Sequence, residues 1–160
     1  MGFYNARLGH TQFHGKALGR RALEKFLVHH NPNYLICWGP DIGRLENEFE
    51  LELKSSFKCI NLMTACARLG YPKSLDAALK TLDCRTSKLR FQDGDEEICM
   101  DGRLAVAMWS QWEATGESKP RDIVLRYNQS DCEALRAVRG RLVTVHRLSL
   151  SSLYELAPLY

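Results

Sequence analysis

The chain has 160 residues, of which 45% are apolar and 26% charged, with a formal net charge of +3; this is the profile of one soluble globular domain with its own core. No apolar run approaches the roughly 18 residues of a membrane span, and no leader-like stretch opens the chain, so the cytoplasm is the expected compartment. The mild positive charge permits nucleic-acid binding through local patches without arguing for it.

In chain order, Gly2 to Gly15 is short, Gly- and polar-rich, and shows no period. Lys16 to His30 carries Ala17, Leu18, Ala22, Leu23, Phe26 and Leu27 at helical spacing, and Asn31-Pro32-Asn33 stops it. Tyr34 to Trp38 is a continuous apolar run, the pattern of a strand buried on both faces. After Gly39-Pro40, Asp41 is placed to cap a helix through Glu52. Phe57 to Leu62 reads as a second strand, running into a helix from Met63 to Leu69, and Ser74 opens a further helix. Arg85 to Cys99 reads as a polar loop with a turn at Asp93-Gly94. Asp101 caps a helix through Glu113, with Leu104, Ala105, Met108 and Trp112 on its inner side. Thr115 to Arg121 links it to a last long helix, Asp122 to about Arg139. The tail from Leu142 to Tyr160 fits strand or helix equally. Alternating strands and helices predict a single α/β or α+β layered domain over 1–160.

Six scattered cysteines, without a C-x-x-C pair, read as buried reduced thiols rather than a zinc site or a disulfide framework. His10 and His14 share H-x-x-x-H spacing but lack the glutamate of a zincin motif, and His29-His30 suits the negative end of a helix dipole. There is no P-loop, no G-x-G-x-x-G and no G-x-S-x-G.

The residues that carry chemistry are an aspartate at a strand end, Asp41, and a later helical pair, Tyr127 and Asp131. Four apart, the phenol and carboxylate share one helix face. Read without context, Asp41 is a helix cap, and Tyr127 and Asp131 are a packed tyrosine and a surface acid. Five segments in order give them context: Cys37-Trp38-Gly39-Pro40-Asp41-Ile42, Ile60-Asn61-Leu62, Ser74-Leu75-Asp76-Ala77-Ala78-Leu79, Asp101-Gly102 with Ala105 and Trp109, and Tyr127-Asn128-Gln129-Ser130-Asp131-Cys132-Glu133-Ala134-Leu135. Together they resemble the RNase-H-like DEDD 3′–5′ exonuclease superfamily, most closely its YprB-like branch of ribonuclease-H-like domains. The resemblance covers about residues 20 to 140.

The fold it implies is α/β, an RNase-H-like mixed sheet flanked by helices, with the N-terminal strands shortened or absent. The family opens with an Asp-x-Glu strand, whereas the first acid here is Glu24. A chain shortened at its front, or one that has lost its catalytic strand, would show this. By resemblance, Asp41 and Asp131 are metal ligands for Mg²⁺ or Mn²⁺, and Tyr127 orients the attacking water. Family members use two such ions roughly 3.5–4 Å apart, bridged by the missing pair, so this chain is expected to be catalytically incomplete.

DNA or RNA is the implied partner. Trp38 either packs or stacks on a base. Arg136 and Arg139, with Arg141 and Arg147, form one basic cluster, and Lys16, Arg20, Arg21 and Lys25 form another; these are a phosphate-binding groove or solvated helix faces. Two alternatives remain open: an active metal-dependent exonuclease whose gene starts upstream of Met1, and a non-catalytic interaction module. The latter would form a homo-oligomer or hold a partner protein through an exposed sheet edge.

Overall fold

The structure, a computed structural model, describes residues 2–5, 9–12, 19–86, 89–93 and 96–160. They fall into two compact units, the first formed by residues 1–12 and 86–134 and the second by residues 13–85 and 135–160.

In the second unit, α1 (Arg20–His30) ends at Asn31, whose left-handed backbone (φ 38°) returns its N–H to the Leu27 carbonyl at 2.8 Å. Two short strands follow, β3 (Tyr34–Cys37) and β4 (Lys58–Asn61), separated by α2 (Asp41–Phe49) and α3 (Leu53–Ser56). They pair in parallel, with Cys37 opposite Asn61. Helices α4 (Leu62–Arg68) and α5 (Leu75–Thr81) come next.

The C-terminal segment returns as the last part of α7 (Ser118–Val145), then α8 (Leu150–Leu156) and β7 (Pro158–Leu159). Strand β7 lies antiparallel to β4 and completes a mixed sheet of order β3–β4–β7. Pro158 is tolerated because β7 is an edge strand. Cys59, Ile60, Leu62, Ala65, Cys66, Val138, Leu142 and Leu153 are wholly buried, so the core lies between β4 and the helices α4, α7 and α8.

The first unit is built from hairpins and one helix pair. Strands β1 (Gly2–Asn5) and β2 (Gly9–Gln12) are antiparallel, so the opening segment, patternless in sequence, holds a short hairpin. Its four-residue strands are too short and too polar to show an alternation. Gln12 Nε2 donates to the Leu125 carbonyl, tying β2 to α7.

The expected loop before Cys99 is instead a second hairpin, β5 (Arg90–Asp93) and β6 (Glu96–Cys99), with Phe91 opposite Ile98. Across it, Arg90 Nη1 meets Glu97 Oε2 at 2.8 Å. Helix α6 (Gly102–Thr115) is capped as expected: Asp101 Oδ1 accepts from the N–H groups of Arg103 and Leu104 at 2.9 and 2.8 Å. Its inner side is only half-buried at Leu104, Ala105, Met108 and Trp112.

Helix α7 is longer than expected at both ends. The linker shrinks to Gly116-Glu117, because Pro120 sits in the first turn, where its missing N–H costs nothing. At the other end the helix runs through Gly140 to Val145, so the first part of the ambiguous tail is helix.

Candidate functional site

Strands β3 and β4 are parallel, so their carboxyl ends lie side by side at Cys37 and Asn61. From Cys37 the chain turns through Trp38, Gly39 and Pro40 into α2. Gly39 has φ +67°, a conformation that any side chain would strain. Asn61, 7% exposed, is the buried polar residue of the described core. Its Oδ1 accepts from the N–H groups of Gly39 (3.1 Å), Met63 (3.1 Å) and Thr64 (3.4 Å), and its Nδ2 donates to the Gly39 carbonyl at 3.1 Å. One amide thus caps α4 and clasps the turn that leads into α2. Three backbone N–H groups are satisfied together, and the Gly39 carbonyl, which also accepts from Cys37 Sγ at 3.7 Å, gains a second donor.

The clasped turn delivers Asp41. The structure corrects the expectation that Asp41 caps its helix. Pro40 is the cap residue and makes no side-chain cap bond, Asp41 is the first helical residue, and α2 ends at Phe49 rather than Glu52. The helix stops early because Glu50 takes a left-handed conformation (φ 52°) and returns its N–H to the Glu46 carbonyl. Asp41 is exposed. Burial around its carboxyl group nevertheless raises its pKa above the usual carboxylate value, against a backbone hydrogen bond from Trp38 and the charge of Arg44. Its place in the first turn of α2 puts the carboxylate at the positive end of the helix dipole.

Trp38 is half-buried beside it. Cys37, directly under the turn, is buried, and burial pushes its thiol up to about 12. Cys59 and Cys66 are likewise pushed up to about 11 by burial. In all three, burial favours the neutral thiol over the nucleophilic thiolate.

Tyr127 and Asp131 lie on α7 within the first unit, both half-buried, and the Oδ1 atom of Asp131 is shielded from solvent. Helical geometry brings this pair onto one face, as its spacing predicts. Asp41 belongs to the other unit. Among the described residues, no group of three His, Cys, Asp or Glu side chains converges as a metal-binding cluster.

A family model described as the RNase_H superfamily matches residues 6–143. The chain belongs to the RNase H superfamily. Its fold is accordingly of a nuclease-like type, and the match spans the Asp41 turn, Asn61, Tyr127 and Asp131. Neither the curated proteins nor the solved structures gave a match.

Positive charge is unevenly placed in this RNase-H-like chain. The second unit holds 15 Lys and Arg against 9 Asp and Glu, whereas the first holds 7 against 10. Both predicted basic clusters lie in the second unit. Part of each is already committed: Arg20 Nε meets Glu24 Oε1 at 2.9 Å and its Nη1 meets Glu50 Oε2 at 3.5 Å, while Arg141 Nε donates to the Leu82 carbonyl at 2.7 Å. Arg136 is exposed and Arg139 half-buried on α7. Lys16 lies outside the described residues, as do His14 and Gly15.

The order of motifs picks out Asn61 without giving it a role. Its signal is present in the sequence: a lone amide at the end of an apolar strand, immediately before a helix, is an N-cap signature. Its second set of bonds, to Gly39, spans 22 residues and has no local signature.

Proposed function

We propose that this chain binds nucleic acid through its second unit, that it descends from YprB-like DEDD 3′–5′ exonucleases, and that it does not hydrolyse the strand by itself. The observation that carries this reading is the place of Asp41, an exposed carboxylate at the carboxyl end of a parallel strand and the start of a helix. In open α/β sheets, ligands are held just beyond the carboxyl ends of the strands. The excess of basic residues in the same unit supplies the long-range attraction that a phosphate backbone needs.

Asp41 suits Mg²⁺ or Mn²⁺, hard ions that take oxygen ligands and keep much of their water. Bound there, the ion would supply charge to hold a phosphate. Asp131 and Tyr127 are the other descendants of the ancestral site in this reading, Asp131 as a metal ligand and Tyr127 as the group that orients water. With no three-carboxylate cluster among the described residues, the donor set does not fit a pair of bridged ions.

Fluorescence anisotropy with labelled single-stranded DNA and RNA tests the proposal. Binding should appear at low salt, fall as salt rises, and weaken when Arg136 and Arg139 are both changed to Ala. The same oligonucleotides should stay intact in Mg²⁺ or Mn²⁺. Absence of binding at low salt would sink the nucleic-acid reading. Cleavage abolished by Asp41→Ala would instead establish an active exonuclease.

A further inference from the structure

We propose that Asn61 is a positioning residue, and that its amide sets the geometry in which Trp38 and Asp41 are presented. This deepens the reading above, since it concerns what holds the proposed cation- and phosphate-binding turn in place. The two ends of the amide do different work. Oδ1 accepts from Met63 and Thr64, and these bonds are an ordinary helix cap. The bonds to Gly39 are different in kind. Oδ1 takes the Gly39 N–H and Nδ2 gives to the Gly39 carbonyl, both at 3.1 Å, so the side chain pairs with one residue of the turn as a neighbouring strand would.

Only an amide can do both at once. A carboxylate has acceptors alone, and a serine hydroxyl is too short to span the gap. Gly39 itself is held at φ +67°, two residues before Asp41, with Met63 Sδ 3.7 Å from the position a Cβ would take. Beyond the backbone pairing of β3 with β4 and the Cys37 thiol on the Gly39 carbonyl, the turn that leads into α2 is thus tied to β4 by this one side chain. The cap and the clasp can be separated by substitution. Asn61→Ser keeps an acceptor for α4 and cuts both bonds to Gly39. Asn61→Asp keeps the acceptor for the cap and replaces the donor to the Gly39 carbonyl with a second, repelling carboxylate oxygen.

The test uses the full chain carrying Trp109→Phe and Trp112→Phe, so that Trp38 is the sole tryptophan. Three readouts are compared: Trp38 emission and its quenching by iodide, amide exchange, and Mn²⁺ affinity by calorimetry. In Asn61→Ser, exchange at Gly39 should speed at least tenfold while Met63 and Thr64 keep most of their protection. Trp38 quenching should rise, and the Mn²⁺ dissociation constant should increase at least threefold. Asn61→Asp should show the Trp38 change with the cap intact. Unchanged Trp38 quenching and Gly39 exchange in both variants would overturn the proposal. So would unchanged Mn²⁺ affinity in Asn61→Ser where Asp41→Ala abolishes it. If the parent protein binds no Mn²⁺, the cation reading fails by itself, and the fluorescence and exchange results still decide whether Asn61 holds the turn.

Discussion

The two units of this chain differ most in what they bury. In the second, eighteen apolar side chains from Leu23 to Ala157 are buried around a three-stranded sheet. Among the described residues of the first, only Met100, Pro120 and Ala134 are buried, and α6 buries none of its fourteen residues. Rigidity follows burial. A side chain held to a fraction of an ångström needs fixed neighbours, and only the second unit has them around its candidate site. Asp41 starts from a turn locked to the buried end of β4. Tyr127 and Asp131 lie on a helix face whose surroundings within their unit are mostly half-exposed. Local opening should follow the same division, since regions with few buried apolar contacts open at low cost.

Cutting one large side chain from each unit challenges this contrast most strongly. Ile60→Ala removes a wholly buried residue from the central strand β4. It should cost about 3–4 kcal/mol in urea unfolding. Trp112→Ala, at a half-buried position on α6, should cost about 1–2 kcal/mol, far below a buried tryptophan. Equal losses would mean that the first unit has a core of the same quality.

Next in size is Asn61→Ala. Losing the α4 cap and leaving the Gly39 N–H without its partner, with only the Cys37 thiol still donating to the Gly39 carbonyl, should cost about 2–3 kcal/mol. Thermal melting of the variant beside wild type checks it.

A smaller effect is expected at Glu46. Burial pushes its carboxyl group up, but the Lys54 backbone N–H at 2.8 Å, the Lys54 ammonium at 3.0 Å and Leu53 outweigh it and leave the pKa below the usual carboxylate range. A depressed pKa means the folded state favours the charged form. The stabilisation is therefore present above the ordinary glutamate pKa and is lost as pH falls through the lower folded value. Glu46→Gln should destabilise by about 1 kcal/mol at neutral pH, with the gap closing in acid.

Asp41 runs the other way. Its raised pKa means the folded state favours the protonated form, so its ionisation costs stability as pH rises through that value. Asp41→Asn should melt no lower than wild type at neutral pH, and the two should converge in acid. A clear loss of stability at neutral pH would show that Asp41 is kept for structure rather than for what it binds.

Much of the second unit is legible in sequence because its elements announce themselves one at a time. Tyr34 to Cys37 sits within the apolar run and Lys58 to Asn61 within the second segment that predict strands, and Asn31 stops a helix by local chemistry, as Asp101 starts one in the first unit. The misses share a physical cause. Strands β1, β2, β5 and β6 have four residues each, too few for a period, although Asp93-Gly94 between Phe91 and Ile98 carries a hairpin signal as well as a turn signal. Pro120 and Gly140 suggest boundaries for α7 because each disfavours a helix in isolation, yet one sits in the first turn and the other is outweighed by buried Val138 and Leu142. Strand β7, two residues long, exists only because β4 offers it an edge. Of the site, the turn and its aspartate are visible through the order of motifs. The clasp that fixes them is not, because it joins residues that only the parallel pairing of β3 and β4 brings together.

The decisive experiment is calorimetric titration of Mn²⁺ into the full chain, repeated with Asp41→Ala and with Asp131→Ala. Asp41 as a surviving cation site requires binding at or below the millimolar range that Asp41→Ala abolishes, and dependence on Asp131 as well would show that both acids serve it. Absence of heat, or heat unchanged by Asp41→Ala, would contradict this and leave the clasped turn without a cation to present.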